Sequence, residues 1–108
     1  MLDANDAPGV AGFWAAALHY DRQEALAHFE ILTPPDGSSA PVLLVQAVED
    51  PKPGKNRMHL DLHVADPEAE AARLVALGAT RLGAGRLGEI RWIAMTDPEG
   101  NEFDLGWE

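Results

Sequence analysis

Cysteine is absent from the 108-residue sequence. The chain therefore has no disulfide, no thiolate nucleophile and no cysteine ligand for zinc or an iron–sulfur cluster. Disulfides are typical of secreted proteins, and the first residues include Asp3 and Asp6 where a signal peptide would carry basic residues. We therefore expect a cytoplasmic protein.

Basic residues and long apolar runs are also scarce. Lys and Arg number 8 against 18 Asp and Glu, which gives a formal net charge of −10. Proteins that bind nucleic acid usually present a basic surface, and the few basic residues here form no stripe. The longest apolar run, residues 10–18, is shorter than the ~20 residues of a transmembrane helix. We therefore expect no nucleic acid and no membrane partner, which leaves a small-molecule ligand or a second copy of the chain.

Two segments carry the signals of helices. Asp66 is a good N-cap, Pro67 suits the first helical position and Gly78 provides a C-terminal stop, which predicts a helix over residues 67–77. Asp6 predicts a second helix over residues 7–18 in the same way. The remaining segments alternate apolar and polar residues, as strands do. Strands are predicted near residues 1–4, 20–32, 41–48, 58–64, 80–83, 89–96 and 102–107.

Each half of the chain thus begins with a strand and a helix and continues with two or three strands. A half of about 50 residues is too small to close a core alone, so two must pack together. One face of each sheet is covered by its helix, and the opposite face carries the polar residues. Two such faces turned toward each other would enclose a polar cavity. The polar set comprises Gln46, His59, Asp61, His63, Arg91, Glu102 and Asp104.

Several motifs agree with this organisation. The first helix contains FWAAAL at residues 13–18, and the second half contains KPGKNR at 52–57, HLDLHVAD at 59–66, ALGAT at 76–80 and DPEGNEFDL at 97–105. Together these motifs resemble the vicinal oxygen chelate superfamily, and more closely its small glyoxalase-like branch of glyoxalase, bleomycin resistance and dioxygenase proteins. The resemblance spans essentially the whole chain.

The resemblance implies an α+β fold. Two tandem βαβββ modules would form a curled mixed sheet around a cavity, with the helices on the outside. We predict a single glyoxalase-like domain over residues 1–108, made of module 1 (1–50), module 2 (57–108) and a linker at 51–56 that is rich in Pro, Gly and Lys.

Metal-using members of this superfamily hold a divalent ion with His, Gln or Glu from four strands. The resemblance puts His59 at the histidine position of the second module and Asp104 where these relatives usually have a glutamate. The first module departs further, because residues 1–4 contain no His and its last strand offers Gln46 beside apolar residues. With two ligands out of four, we expect a protein without a metal. A divalent ion (Zn, Ni, Mn, Fe or Mg) is the alternative.

The two histidines of the strand 58–64 cannot hold one ion together. Residues four apart in a strand are separated by roughly 13 Å, whereas two zinc-bound nitrogens lie within about 4 Å of each other. His59 therefore stands alone, as a metal ligand, as a hydrogen-bonding contact for a ligand, or as a structural residue. His63 is expected at the surface or at the rim of the cavity.

The other candidates have competing interpretations. Asp61 paired with Asp104 could form an acid–base couple, but we favour a salt bridge between Asp61 and Arg91. Arg91 would otherwise bind an anionic group of the ligand. Trp92 is a candidate ligand contact whose alternative is the hydrophobic core. Gln46 is a candidate to assist Asp61 in catalysis.

Two functions from different classes fit these residues. The first is a metal-assisted lyase, isomerase or dioxygenase, in which an ion polarises vicinal oxygens of the substrate while a carboxylate moves a proton. The second is a metal-free protein that binds or sequesters an antibiotic or a metabolite, as bleomycin resistance proteins do. The sequence does not rank the two, so enzymatic activity stays open. The short first strand leaves a sheet edge uncovered, and we therefore expect a homodimer.

Overall fold

A computed structural model describes residues 1–107, which form two helices and eight strands. The elements in chain order are β1 (Leu2–Ala4), α1 (Ala7–Leu18), β2 (Asp21–Arg22), β3 (Phe29–Thr33), β4 (Leu43–Ala47), β5 (Leu60–His63), α2 (Pro67–Leu77), β6 (Thr80–Leu87), β7 (Ile90–Thr96) and β8 (Glu102–Trp107). Neither helix is long and apolar enough to cross a membrane.

Both helices begin and end where the sequence predicts. The Asp6 side chain accepts a hydrogen bond from the Gly9 N–H at 3.2 Å, and the Asp66 side chain accepts one from the Ala69 N–H at the same distance. These bonds satisfy backbone donors that a helix leaves free at its start. Gly78 ends α2 with φ of 119°, a left-handed conformation that glycine adopts without strain.

The chain forms two compact units, Met1–Lys52 and a second that begins at Pro53. The first sheet has the strand order β1-β4-β3-β2, and the second has the corresponding order β5-β8-β7-β6. In both sheets the strand before the helix pairs in parallel with the last strand of the unit. The predicted α+β fold of two tandem βαβββ modules is confirmed. The boundaries 1–50, 51–56 and 57–108, and their union in one domain, stay predictions.

Each sheet buries the face that meets its helix. In the first unit, Leu32 and Val45 are fully buried on the side of α1. In the second unit, α2 contacts β6 and β8, and the sheet residues on that side are the most deeply buried. These residues, all with no exposed surface, are Ile93, Met95, Phe103 and Leu105, and Leu74 of α2 is buried as completely. The opposite face of the second sheet carries the candidate site.

Strand β6 is twice as long as the sequence indicates. Only residues 80–83 were expected, whereas the strand runs to Leu87 and pairs with β7 down to Ile90. A register shift between Arg81 and Gly83 interrupts the ladder. The extension, residues 84–87, contains Gly85, whose low strand propensity hides it in the sequence, and the pairing with β7 supplies the stability that propensity lacks.

Candidate metal and ligand site

Three side chains gather at the open face of the second sheet. His59 Nδ1 lies 3.1 Å from Asp61 Oδ1 and 4.0 Å from Asp104 Oδ2. One ligand atom from each of the three residues lies within 4.8 Å of the others. Among residues 1–107, the structure forms no second group of this kind with three or more His or acidic side chains.

The strand ladder explains why these residues meet. Asp61 of β5 is paired in register with Asp104 of β8, so both carboxylates project from the same face at neighbouring positions. His59 precedes Asp61 by two residues, which is the spacing that returns a side chain to the same face of an extended chain. The Asn56 N–H donates a hydrogen bond to Glu102 Oε2 at 2.8 Å, which fixes the segment before His59 to the start of β8.

Burial raises the pKa of the Asp104 carboxyl above its ordinary value. The positive charge of protonated His59 opposes this rise and the negative charge of Asp61 adds to it, while Lys55 acts in the same direction as His59. The Asp104 side chain is 24% exposed, against 69% for Asp61. The two paired carboxylates therefore have different environments, one half-enclosed and one open to solvent.

The three donors fit a divalent cation. Bonds of about 2.1 Å bring the donor atoms around one ion to about 3 Å from each other when they are adjacent and to about 4 Å when they are opposite. The two distances from His59 Nδ1 fall in this range. One imidazole with two carboxylates suits manganese, iron, zinc or magnesium. The sequence predicts two ligands in this module, and the structure adds Asp61 as a third donor.

A cavity of about 370 Å³ opens beside this cluster. That volume lies within the usual range of sites for small molecules, about 300–1,000 Å³. It is lined by Asp61, Leu62, His63, Ile90, Arg91, Trp92, Asp104, Gly106 and Trp107. The predicted ligand contact Trp92 thus borders the cavity and is half-buried, as is Asp104.

Arg91 does not share the polar face with Asp61, and this interpretation of the sequence was wrong. The register pairs Arg91 with Trp107, next to the pair of Ile93 with Leu105 on the helix-covered face. The Arg91 guanidinium lies over the Trp107 ring, 5.6 Å from its centre. Among the described residues, Asp61 forms its ion pair with His59 and not with Arg91. Arg91 borders the cavity at the end of its strand, and its role in binding an anion stays a prediction.

A family model described as a glyoxalase-like domain matches residues 1–106. The chain belongs to this family. The resemblance to the vicinal oxygen chelate superfamily, derived from the sequence motifs, is thereby confirmed. No curated protein matches this glyoxalase-like domain in sequence.

Solved structures of the same superfamily share the fold. A glyoxalase/bleomycin resistance protein/dioxygenase family enzyme from Burkholderia phytofirmans PsJN is 16% identical, with a TM-score of 0.73 over 98% of this chain and 93% of that one. The fosfomycin resistance protein FosX from Listeria monocytogenes is 14% identical, with a TM-score of 0.78 over 99% and 88%. A mutant of that FosX, solved with Mn(II) and 1S,2S-dihydroxypropylphosphonic acid, is 16% identical, with a TM-score of 0.77 over 96% and 82%.

The first unit of this glyoxalase-like domain carries Gln46 on its open sheet face. Gln46 is paired with Asp3 of β1 and with Phe29 of β3, and its neighbour Val45 is buried against the helix side. Leu2 pairs with Val45 as Leu62 pairs with Leu105. Leu44 directly precedes Val45, as Asp104 directly precedes Leu105. The first unit therefore has a leucine at the position that corresponds to the Asp104 carboxylate. Catalytic assistance by Gln46 stays a prediction.

Two glycines of the site were not predicted from the sequence. Gly106 lines the cavity, and Gly85 pairs with Trp92 across β6 and β7. A methyl group at Gly85 would lie 2.7 Å from Trp92 Nε1 and closer still to Cζ2, so the indole packs directly on the Gly85 backbone. Alternation along residues 102–107 does put Gly106 on the face of Asp104, but the residues next to a glycine on the neighbouring strand become known only from the strand pairing.

Proposed function

We propose that this glyoxalase-like domain binds a divalent metal ion in its second unit and acts on a small molecule in the adjoining cavity, as a metal-assisted lyase, isomerase or oxygenase. The observation that carries the proposal is the convergence of His59, Asp61 and Asp104 within 4.8 Å at the edge of a cavity of about 370 Å³. The FosX structure with Mn(II) supports it, since that protein has the same fold.

His59 and Asp104 are the residues that hold the ion in this proposal. Asp104 is the less exposed carboxylate, and its like-charged neighbour Asp61 disfavours the ionised form. A bound cation would offset that repulsion. When bound, a divalent ion acts as a Lewis acid toward oxygen atoms of a substrate.

Asp61 is the residue that moves the proton. Its Oδ1 faces His59 Nδ1, its side chain is 69% exposed, and Asp61 lines the cavity. A carboxylate beside the substrate can accept a proton from carbon or oxygen and return it to another atom. His59 holds the Asp61 carboxylate in position through the 3.1 Å contact.

A metal-free binding protein is the second candidate. The pairing of His59 with Asp61 is complete without an ion, and Leu44 stands in the first unit where the second has Asp104. In this alternative, the ligand would contact Trp92 and the carboxylates directly. The presence or absence of a specific ion separates the two functions.

Manganese binding provides the test. We expect electron paramagnetic resonance of free Mn²⁺ to reveal about one site per wild-type chain, and His59→Ala to weaken binding at least tenfold, as losses around metal sites commonly do by about 10- to 100-fold. His63→Ala is the matched control, because His63 is a histidine four residues further along the chain, in β5, and lies outside the cluster. Equal binding by wild type and His59→Ala, or no binding by either, would refute the proposed metal site.

A further inference from the structure

One row of residues crosses all four strands of the second sheet beside the donor cluster. His63 pairs with Gly106, Gly106 with Trp92, and Trp92 with Gly85. On the open face, the two aromatic side chains of this row, an imidazole and an indole, are therefore each followed by a glycine that has no side chain. Neighbouring strands lie about 4.8 Å apart, so the backbones of His63 and Trp92 are separated by about 10 Å across Gly106.

The space above the two glycines differs. The Trp92 indole packs on Gly85, where an added methyl group would lie 2.7 Å from Nε1. At Gly106, an added methyl group would meet no atom within 4 Å, and Gly106 lines the cavity. The indole thus occupies the β6 side of its strand and leaves the β8 side open. Because the Gly85 position has no side chain, Trp92 can take this orientation.

We propose that the open space over Gly106, between Trp92 and His63, is a slot for a flat, unsaturated ring of the ligand. A flat ring with its contacts on both sides needs about 7 Å, and the roughly 10 Å between the backbones that flank Gly106 leaves room for it. Both side chains that bound the slot are aromatic, and such rings prefer flat aromatic partners in offset or edge-to-face contact. This inference rests on the proposed function, since the slot adjoins the proposed metal site.

The position of the proposed metal ligands limits how far the ligand's oxygen atoms can lie from its ring. Asp104 precedes Gly106 by two residues on the same face, which corresponds to about 7 Å along the strand. Asp104, a proposed metal ligand, therefore adjoins the slot along β8. A ligand that occupied the slot and reached this site would carry its oxygen donors on the ring or one atom away from it. Gly85 is then a positioning residue, which acts on the ligand through Trp92.

Two hydroxamates with the same chelating group test the slot. Benzohydroxamate carries a phenyl ring, and acetohydroxamate carries a methyl group in its place. With Mn²⁺ bound to the wild-type chain, we expect benzohydroxamate to bind about tenfold more tightly in calorimetric titration, which corresponds to about 60 Å² of ring surface removed from water. Gly106→Val fills the slot, so both compounds should bind this variant equally while Mn²⁺ affinity is unchanged.

Gly83→Val is the matched control. Gly83 lies on β6 opposite Ala94, has open space at its Cβ position, and does not line the cavity. This variant should keep the wild-type preference for benzohydroxamate. Equal affinities in the wild type, or a preference that survives Gly106→Val, would overturn the slot while the metal site stands.

A metal-free arm separates the slot from the proposed function. Phenol at millimolar concentration should shift the Trp92 indole N–H signal in nitrogen-15 spectra of the wild type, and cyclohexanol should not. The shift should vanish in Gly106→Val and persist in Gly83→Val. If Mn²⁺ fails to bind and phenol still shifts Trp92, the metal proposal fails and the slot stands. If phenol gives no shift, the slot is refuted with or without the metal.

Discussion

Gly85→Ala should have an effect opposite to that of Gly83→Ala, although both substitutions add one methyl group to the same strand. The new methyl group at residue 85 would lie 2.7 Å from Trp92 Nε1, whereas at residue 83 nothing lies within 4 Å. Carbon and nitrogen atoms in contact are about 3.5 Å apart, so the indole must move by about 1 Å or more.

The loss in free energy of unfolding depends on how far the indole can move away from the new methyl group. Overpacking typically costs about 1–3 kcal/mol, and here the ring can turn toward the open side over Gly106, so we expect the lower part, about 1–2 kcal/mol. Gly83→Ala restricts the unfolded chain without a clash and should stabilise by about 0.4–1 kcal/mol. The two variants should therefore differ by about 2 kcal/mol.

Urea unfolding followed by circular dichroism measures this difference, and tryptophan emission reports the movement of Trp92. The emission of Gly85→Ala should change relative to the wild type, and that of Gly83→Ala should not. Equal free energies of unfolding for the two variants, within about 0.5 kcal/mol, would contradict the packing of Trp92 on Gly85.

Three further outcomes are expected. Burial holds the pKa of Asp104 above its ordinary value, so the charged carboxylate lowers the free energy of unfolding. In chelator-treated protein, Asp104→Asn should therefore be more stable than the wild type at pH 7, and this gain should disappear as the pH falls through the raised pKa. Urea unfolding at several pH values measures the difference, and no difference, or one that does not change with pH, would contradict the reasoning. At 100 times its dissociation constant, Mn²⁺ should add about 2.7 kcal/mol and raise the melting temperature by about 10 °C in calorimetry; at the same Mn²⁺ concentration His59→Ala should reduce this increase to about half or less, and His63→Ala should keep it. The apolar side chains of Leu82, Leu87 and Ile90 are more than half exposed beside the edge strand β6, and light scattering at tens of micromolar should give the mass of a homodimer; a monomer mass would refute the association.

The helices were predictable because their signals are local. Asp6, Asp66 and Gly78 act within three or four residues of themselves, so the sequence contains the whole of each cap. The family motifs identified the fold and the positions of His59 and Asp104 for a related reason, since they are short runs of adjacent residues.

Which side chains meet in the site depends on the strand pairing, and the alternation of residues in the sequence does not predict that pairing. In β7 both alternating sets include apolar residues, so alternation alone did not tell which set faces the helix, and Arg91 was assigned to the wrong face. The partner of Asp61 was missed for the same reason, because its distance from His59 and Asp104 depends on the register of β5 and β8. The openness over Gly106 likewise follows from the orientation of one indole on a neighbouring strand.

The pairing of Asp61 with Asp104 also makes the site sensitive to ionic strength. Hydrogen bonds of the ladder hold two like charges opposite each other, in a protein whose net charge is −10. Dissolved salt screens this repulsion and the attraction for cations alike, over a distance of about 8 Å at physiological concentration. Any positively charged occupant should therefore bind most tightly in dilute buffer and lose affinity as salt is added, while an uncharged ring in the slot over Gly106 should bind with little change.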